Sequence, residues 1–180
     1  MSQSFSLFSL FIVFLVLNFH GVVVNGDLIS DVCKNASAIR SQISPNIKYD
    51  FCVASLSSNP ASKHADLLGL GKISMETCLT NATSICSYIA KMLKEKREQP
   101  VKHALEDCLT MYSGALDNIH HAIASYEKKD YKKANIFITG TDSYSDICEA
   151  GFKGLTSPLT KQSGDFSQLV AISVAITGMV

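Results

Sequence analysis

Four stripes of apolar residues, spaced in steps of three and four, constrain the fold of this chain more than any other feature. The longest stripe covers residues 101–126, and the others cover residues 67–93, 134–155 and 166–180. Because an α-helix turns once in about 3.6 residues, apolar residues at these steps all lie on one side of a helix. Each stripe therefore predicts one amphipathic helix with a single buried face.

Breaks rich in charged residues, proline or glycine separate the four stripes. They fall at residues 96–100, 128–130 and 156–164. Connections this short place consecutive helices side by side, which is typical of an up-down-up-down four-helix bundle. No apolar alternation of period two competes with the helical pattern. The sequence therefore predicts an all-α fold.

Two shorter segments precede the bundle. Residues 28–40 and 47–58 predict two helices that form a hairpin around residues 41–45. Such a hairpin is too small to be stable alone. We therefore predict one domain, in which residues 27–60 form the hairpin and residues 61–180 form the bundle.

The N-terminal segment predicts a secretory signal peptide. Residues 1–26 contain no Lys, Arg, Asp or Glu, and residues 7–17 are almost wholly apolar. A run of this length is too short to span a bilayer but fits the hydrophobic region of a signal peptide. Small residues predict cleavage between Gly26 and Asp27. An N-terminal membrane anchor is the alternative, and polar residues such as Asn18 interrupt the run and argue against it.

The predicted mature chain is electrically neutral. Residues 27–180 carry all 16 basic and all 16 acidic residues of the protein. This balance argues against nucleic acid or an anionic membrane surface as the main partner. In a secreted chain, the sequons at Asn35 and Asn81 are candidates for N-glycosylation.

The six cysteines predict a disulfide framework in a secreted chain. Residues that face each other across a helical hairpin lie equally far from its turn. The midpoint of Cys33 and Cys52 lies in the first predicted turn, and the midpoint of Cys108 and Cys148 lies in the break at residues 128–130. Both pairs therefore fit a bridge across a hairpin.

One other pairing fits the same criterion. The midpoint of Cys86 and Cys108 also lies in a break, so this pair competes with Cys108–Cys148. Cys78 and Cys86 would lie about 12 Å apart on a straight helix, whereas a disulfide needs Cα atoms within about 7 Å. The preferred set is Cys33–Cys52 and Cys108–Cys148, with Cys78 and Cys86 as free thiols.

Four segments together resemble the plant invertase and pectin methylesterase inhibitors. They are SPNIKYDFCVASLSSNPASKHADLLGLGKIS, LEDCLTMYSGALDNIHHAI, KDYKKANIFITGTDSYSDICEAGF and SPLTKQSGDFSQLVAISVAITGMV. Within that family, YDFCVASL and ADLLGLG are most similar to the branch that contains tree-pollen allergens. The resemblance implies a four-helix bundle with an N-terminal helical hairpin, and the same bridges, Cys33–Cys52 and Cys108–Cys148. Cys78 and Cys86 match no family cysteine.

The resemblance also implies a function without catalysis or a cofactor. Family members dock onto a cell-wall carbohydrate-active enzyme and block its substrate cleft, so we expect a secreted, apoplastic inhibitor. The sequence agrees, because it contains no G-x-S-x-G, H-E-x-x-H or Cys-x-x-Cys motif. The adjacent His120 and His121 would project about 100° apart on a helix, which argues against a shared metal site.

Two target enzymes divide the family. Its invertase inhibitors share a Pro-Lys-Phe tripeptide, and none of the 4 prolines here is followed by Lys-Phe. We therefore favour pectin methylesterase as the target and keep invertase as the alternative. The contacting face is expected on the outward side of the helices predicted over residues 101–128 and 131–154. The candidate contact residues are Thr110, Ser113, Asp117, Thr139, Asp142 and Ser143.

A different class of function is a secreted carrier that holds a lipid in a bundle cavity. Lipid-transfer proteins usually have eight cysteines with an adjacent pair, whereas this chain has 6 cysteines and none are adjacent. The stripes of Leu, Ile and Phe also favour a packed core over a cavity. The inhibitor is therefore the preferred prediction.

Overall fold

The computed structural model describes residues 25–39 and 47–180. The predicted signal peptide lies outside these residues apart from Asn25 and Gly26, and so does the predicted hairpin turn. The described residues form helices and no strand, which confirms the all-α fold. Among them, no helix is both long enough and apolar enough to cross a membrane.

The first two helices form the N-terminal hairpin. Helix α1 spans Asn25–Ala38 and helix α2 spans Tyr49–Ser57. The Cys33–Cys52 disulfide joins them with a Cα separation of 5.7 Å, and both cysteines are fully buried. The hairpin has no separate hydrophobic core, because its buried side chains belong to one cluster with residues of the last helix. Packing against the bundle therefore stabilises it.

The bundle follows after a short 3-10 turn at Pro60–His64. Helix α3 spans Leu67–Met92, and the Asp66 carboxylate caps it by accepting from the Gly69 amide at 2.8 Å. Helix α4 spans Gln99–Glu127, with Pro100 in its first turn, where a missing N–H costs nothing. These two helices pack along each other.

The third predicted helix of the bundle is broken in two, which corrects the single helix predicted over residues 131–154. Helix α5 spans Tyr131–Thr139 and helix α6 spans Tyr144–Gly151. Between them the amide of Thr141 bonds to the carbonyl of Ile138 at 3.1 Å, a bond three residues back instead of four. The Thr141 hydroxyl donates to the same carbonyl at 2.7 Å. This hydroxyl competes with the helical ladder, so the run Gly-Thr-Asp-Ser cannot continue the helix.

The last helix, α7, spans Thr160–Thr177 and is buried on more than one side. The sequence predicts a single apolar stripe through Phe166, Leu169 and Val170. The structure also buries Ala171 and Ile172, because the N-terminal hairpin covers the side opposite the bundle. Helix α7 is therefore the common core element of both parts of the chain.

Gly71 in α3 lies against Tyr126 near the end of α4, and this contact gives a first testable prediction. A Cβ at Gly71 would lie 2.9 Å from Cζ of Tyr126, whose hydroxyl donates to the Leu68 carbonyl at 3.0 Å. Gly71→Ala should displace the ring and break this bond, an overpacking cost of about 1–3 kcal/mol. A gain of about 1 kcal/mol in helix propensity offsets part of it. We expect a lower free energy of unfolding in urea.

Gly164 in α7 provides the matched control. No atom lies within 4 Å of a Cβ added there. Gly164→Ala should therefore raise the free energy of unfolding by about 0.5–1 kcal/mol, because alanine loses less backbone entropy in a helix. Equal effects of the two substitutions would show that the contact with Tyr126 does not limit residue 71.

Candidate functional site

Two rows of outward-facing residues lie on neighbouring elements, one on α4 and one at the break between α5 and α6. Thr110, Ser113 and Asp117 are exposed at steps of three and four along α4. Thr139 and Ser143 are exposed at the break between α5 and α6. Five of the six predicted contact residues are therefore accessible to a partner.

Asp142 is the exception, and its prediction as a contact residue is wrong. The residue is only 5% exposed. In a continuous helix it would lie at the edge of the apolar stripe, but the tightened turn places both Thr141 and Asp142 inside the protein. A buried side chain at this position cannot be presented to another protein.

The structure adds two isoleucines that the sequence prediction missed. Ile136 is 61% exposed and Ile147 is 51% exposed. With Thr139 and Ser143 they follow steps of three and four along the outer surface of α5 and α6. Their signal in the sequence is that they are large apolar residues outside the third apolar stripe. We call the seven residues together the docking face: Thr110, Ser113, Asp117, Ile136, Thr139, Ser143 and Ile147.

Side-chain contacts hold the two rows of the docking face together. The Cys108–Cys148 disulfide joins α4 to α6 with a Cα separation of 4.6 Å. Asn118 Nδ2 donates to the Tyr144 hydroxyl at 3.3 Å. The rings of His121 and Phe137 stack with their centroids 5.1 Å apart. The relative positions of α4, α5 and α6 are thus set by a covalent bond and by polar and aromatic contacts.

The outer surface of α5 and α6 carries little charge. Within residues 136–151, all of which the structure describes, Asp146 is the only charged side chain that is exposed. Apolar and hydroxyl groups can be desolvated by a partner at much lower cost than charged groups. This surface is therefore suited to burial against another protein.

The two remaining cysteines are thiols in the structure. Burial raises the pKa of Cys78 to about 12, and its Sγ lies 3.3 Å from the Ser173 hydroxyl. Partial burial also raises the pKa of Cys86, and a hydrogen bond with Ser113 opposes this shift. A nucleophilic cysteine needs a lowered pKa, so neither thiol is activated.

The structure also places the other candidate positions. Asn35 is exposed on α1, whereas Asn81 lies in the middle of α3 with a buried Oδ1 that has no hydrogen-bond partner. His120 and His121 are both exposed. Over the residues that the structure covers, no three His, Cys, Asp or Glu side chains form a group that could hold a metal ion.

Comparison with known proteins identifies relatives over the whole length of the chain. The family model for plant invertase/pectin methylesterase inhibitor matches residues 27–176. A protein named "Putative invertase inhibitor" from Platanus acerifolia is 39% identical over 100% of this chain and 99% of its own length. "Pectinesterase inhibitor 12" from Arabidopsis thaliana is 35% identical over 97% of this chain and 98% of its own length.

A solved structure has the same fold. The mutant form A of a pectin methylesterase inhibitor from Arabidopsis superposes with a TM-score of 0.70 at 20% identity, over 84% of this chain and 96% of the other. The family match and the identity to full-length relatives confirm the resemblance found in the four sequence segments. The chain therefore belongs to the plant invertase/pectin methylesterase inhibitor family.

Proposed function

We propose that the chain is a secreted inhibitor that docks onto a plant cell-wall carbohydrate-active enzyme through the docking face, with pectin methylesterase as its target. The observation that carries this proposal is the pair of exposed isoleucines, Ile136 and Ile147, on a surface with little charge. Apolar side chains on a surface with little charge fit the centre of a protein interface, which is depleted in charged residues.

The chain is not an enzyme. It belongs to a family of inhibitors, and its relatives from Platanus and Arabidopsis carry inhibitor names. Burial also raises the pKa of both free thiols, Cys78 and Cys86, so neither is activated as a nucleophile. Inhibition by docking needs only a rigid, complementary surface.

The rigidity of the docking face supports a docking mechanism. Binding to a preformed surface avoids the entropic cost of ordering side chains and loops at the interface. The Cys108–Cys148 bridge and the Asn118–Tyr144 hydrogen bond fix the rows on α4 and on α5 and α6 before any partner arrives. An interface of ordinary size, about 800 Å² per partner, would extend beyond the seven residues named here.

The choice of pectin methylesterase rests on the sequence. None of the 4 prolines is followed by Lys-Phe. Invertase is the second candidate, because the Platanus relative at 39% identity is named an invertase inhibitor. A second Arabidopsis relative, "Cell wall / vacuolar inhibitor of fructosidase 2", is 32% identical over 73% of this chain. That relative's name refers to the cell wall and the vacuole, and of these we propose the cell wall for this chain.

A lipid carrier is less well supported by the structure. Tyr112 and Phe166 are both fully buried and meet edge to face with ring centroids 5.2 Å apart. Leu105 and Ile119 are fully buried on the same side of α4. Large side chains therefore fill the centre of the bundle, where a carrier would need space for an acyl chain.

Parallel titration tests the proposal. The oxidised protein is added to a plant pectin methylesterase and to a plant acid invertase at mildly acidic pH. We expect the methylesterase to lose its activity near a one-to-one ratio while the invertase keeps its activity. The reverse result would assign the chain to invertase. Full activity of both enzymes in excess inhibitor would overturn the proposed function.

A further inference from the structure

A cleft of about 550 Å³, lined by both polar and apolar groups, lies between the N-terminal hairpin, α6 and α7. Lys48 and Phe51 line it from the hairpin, Ser145 and Glu149 from α6, and Gly164 and Gln168 from α7. We call it the hairpin cleft. Its volume is within the range of about 300–1,000 Å³ that is typical of small-molecule sites. It shares no residue with the docking face.

Ser145 provides the first indication of a ligand. The residue lines the cleft, is only 1% exposed, and its hydroxyl has no hydrogen-bond partner. Buried hydroxyl groups almost always have a partner, because an unpaired one costs folding free energy. The unpaired Ser145 hydroxyl is therefore a candidate hydrogen-bond partner for a molecule in the cleft.

The wall around Glu149 is held in place before any ligand binds. Its Oε1 accepts hydrogen bonds from the hydroxyls of Ser157 at 2.9 Å and Ser163 at 2.8 Å. Its Oε2 accepts from the Thr160 hydroxyl at 3.0 Å. These three bonds attach the start of α7 and the residues just before it to α6. The cleft is therefore preorganised on this side, which lowers the entropic cost of binding.

The hairpin side of the cleft combines an aromatic ring with an ordered amide. Phe51 is half-buried against both core clusters. The backbone N–H of Lys48 donates to Gln168 Oε1 at 2.9 Å, which links the hairpin to α7. Gly164 leaves open space, because nothing lies within 4 Å of a Cβ built there. The cleft thus has an apolar surface beside polar groups and room next to the helix.

Charge restricts the class of ligand. Two lysines, Lys48 and Lys161, face three carboxylates, those of Asp146, Glu149 and Asp165. Lys161 is already paired with Asp165. The excess of negative charge opposes an anionic ligand. No metal-binding group of three ligating side chains occurs in the described part of the chain, so a metal ion is not indicated either.

We propose that the hairpin cleft binds a neutral saccharide through one pyranose ring. A pyranose has C–H groups that pack on an aromatic ring such as Phe51. Its hydroxyl groups both donate to carboxylates and accept from hydroxyls, as Asp146 and Ser145 require. The site is separate from target inhibition, and the proposed function does not depend on it.

Saturation-transfer NMR tests this proposal with the oxidised protein and two probes, methyl β-D-galactopyranoside and methyl α-D-glucopyranoside. We expect saturation to pass to the ring C–H protons of at least one probe at a concentration on the order of 10 mM. D-galacturonate at the same concentration should receive less saturation than the neutral probes, because its carboxylate is repelled by the excess negative charge of the cleft. Absence of transfer to both neutral probes would overturn the proposal, and so would stronger transfer to galacturonate.

Substitutions at two positions, Gly164 and Ser145, locate the binding. Gly164→Phe should fill the open space of the cleft and abolish transfer, whereas Gly164→Ala should retain it. Ser145→Ala should weaken binding by about tenfold, while its melting temperature stays the same or rises, because the substitution removes an unpaired buried hydroxyl. Transfer that is unchanged in a folded Gly164→Phe variant would place the saccharide elsewhere and overturn the proposal.

Discussion

Glutamate in place of both Ile136 and Ile147 should weaken inhibition of the target enzyme by at least about a hundredfold, the combined effect expected of two central contacts. Docking would bury each carboxylate against the partner without a matching charge, which opposes binding strongly. The two isoleucines are 61% and 51% exposed in the free protein. The fold should therefore tolerate the change. Inhibition constants and melting temperatures, measured on the same samples, separate the two effects.

Ile39 offers a matched control for this experiment. It is 49% exposed and lies just after α1, in the N-terminal hairpin, outside the docking face. Ile39→Glu introduces the same change of charge and polarity on the same type of residue, and it should leave the inhibition constant unchanged. Equal weakening by Ile39→Glu, or full potency of the double variant, would contradict docking through α5 and α6.

Removal of the Cys108–Cys148 bridge should have the largest effect on stability. In the chain-entropy model, a crosslink over a loop of 40 residues contributes about 4 kcal/mol. Cys108→Ala with Cys148→Ala removes it without leaving an unpaired thiol. We expect the melting temperature to fall by about 10 °C in a domain of this size. Inhibition should weaken as well, because the bridge holds α4 against α6 beside the docking face.

The other disulfide provides the comparison. The Cys33–Cys52 loop is shorter, with a separation of 19 residues, and corresponds to about 3 kcal/mol. Cys33→Ala with Cys52→Ala should therefore destabilise the hairpin, but inhibition should remain at temperatures where the bundle is folded. If the two variants lose potency equally, the Cys108–Cys148 bridge has no specific role in positioning the docking face.

Most of the docking face could be predicted because it depends on helix periodicity. Thr110, Ser113 and Asp117 lie outside the apolar stripe of α4, and they are exposed in the structure. The prediction failed at Asp142, where it assumed a continuous helix. The side chain of Thr141 competes for a backbone carbonyl three residues back, and the resulting turn buries Asp142. Periodicity carries no information about that competition.

The exposed isoleucines illustrate a second limit of prediction from apolar stripes. The sequence shows that Ile136 and Ile147 lie outside the third stripe, but an apolar residue outside a stripe can still be covered by another element. Helix α7 is an example, since Ala171 and Ile172 lie outside its predicted stripe and are buried by the hairpin. Only the packed structure distinguishes a covered apolar residue from an exposed one.

The sequence by itself determined the all-α fold, the family and the preferred pairing of the cysteines. The all-α fold depends on local periodicity and the family on motifs. The cysteine pairing depends on the number of residues between each cysteine and the turn of its hairpin. The break between α5 and α6 follows from a local hydrogen bond of Thr141, which periodicity does not reveal. Tertiary structure alone decided the exposure of Ile136 and Ile147 and the hairpin cleft. The cleft brings together Lys48, Ser145 and Gly164 from three separate segments. Such a site depends on how helices pack against each other, and packing joins residues that no short-range pattern connects.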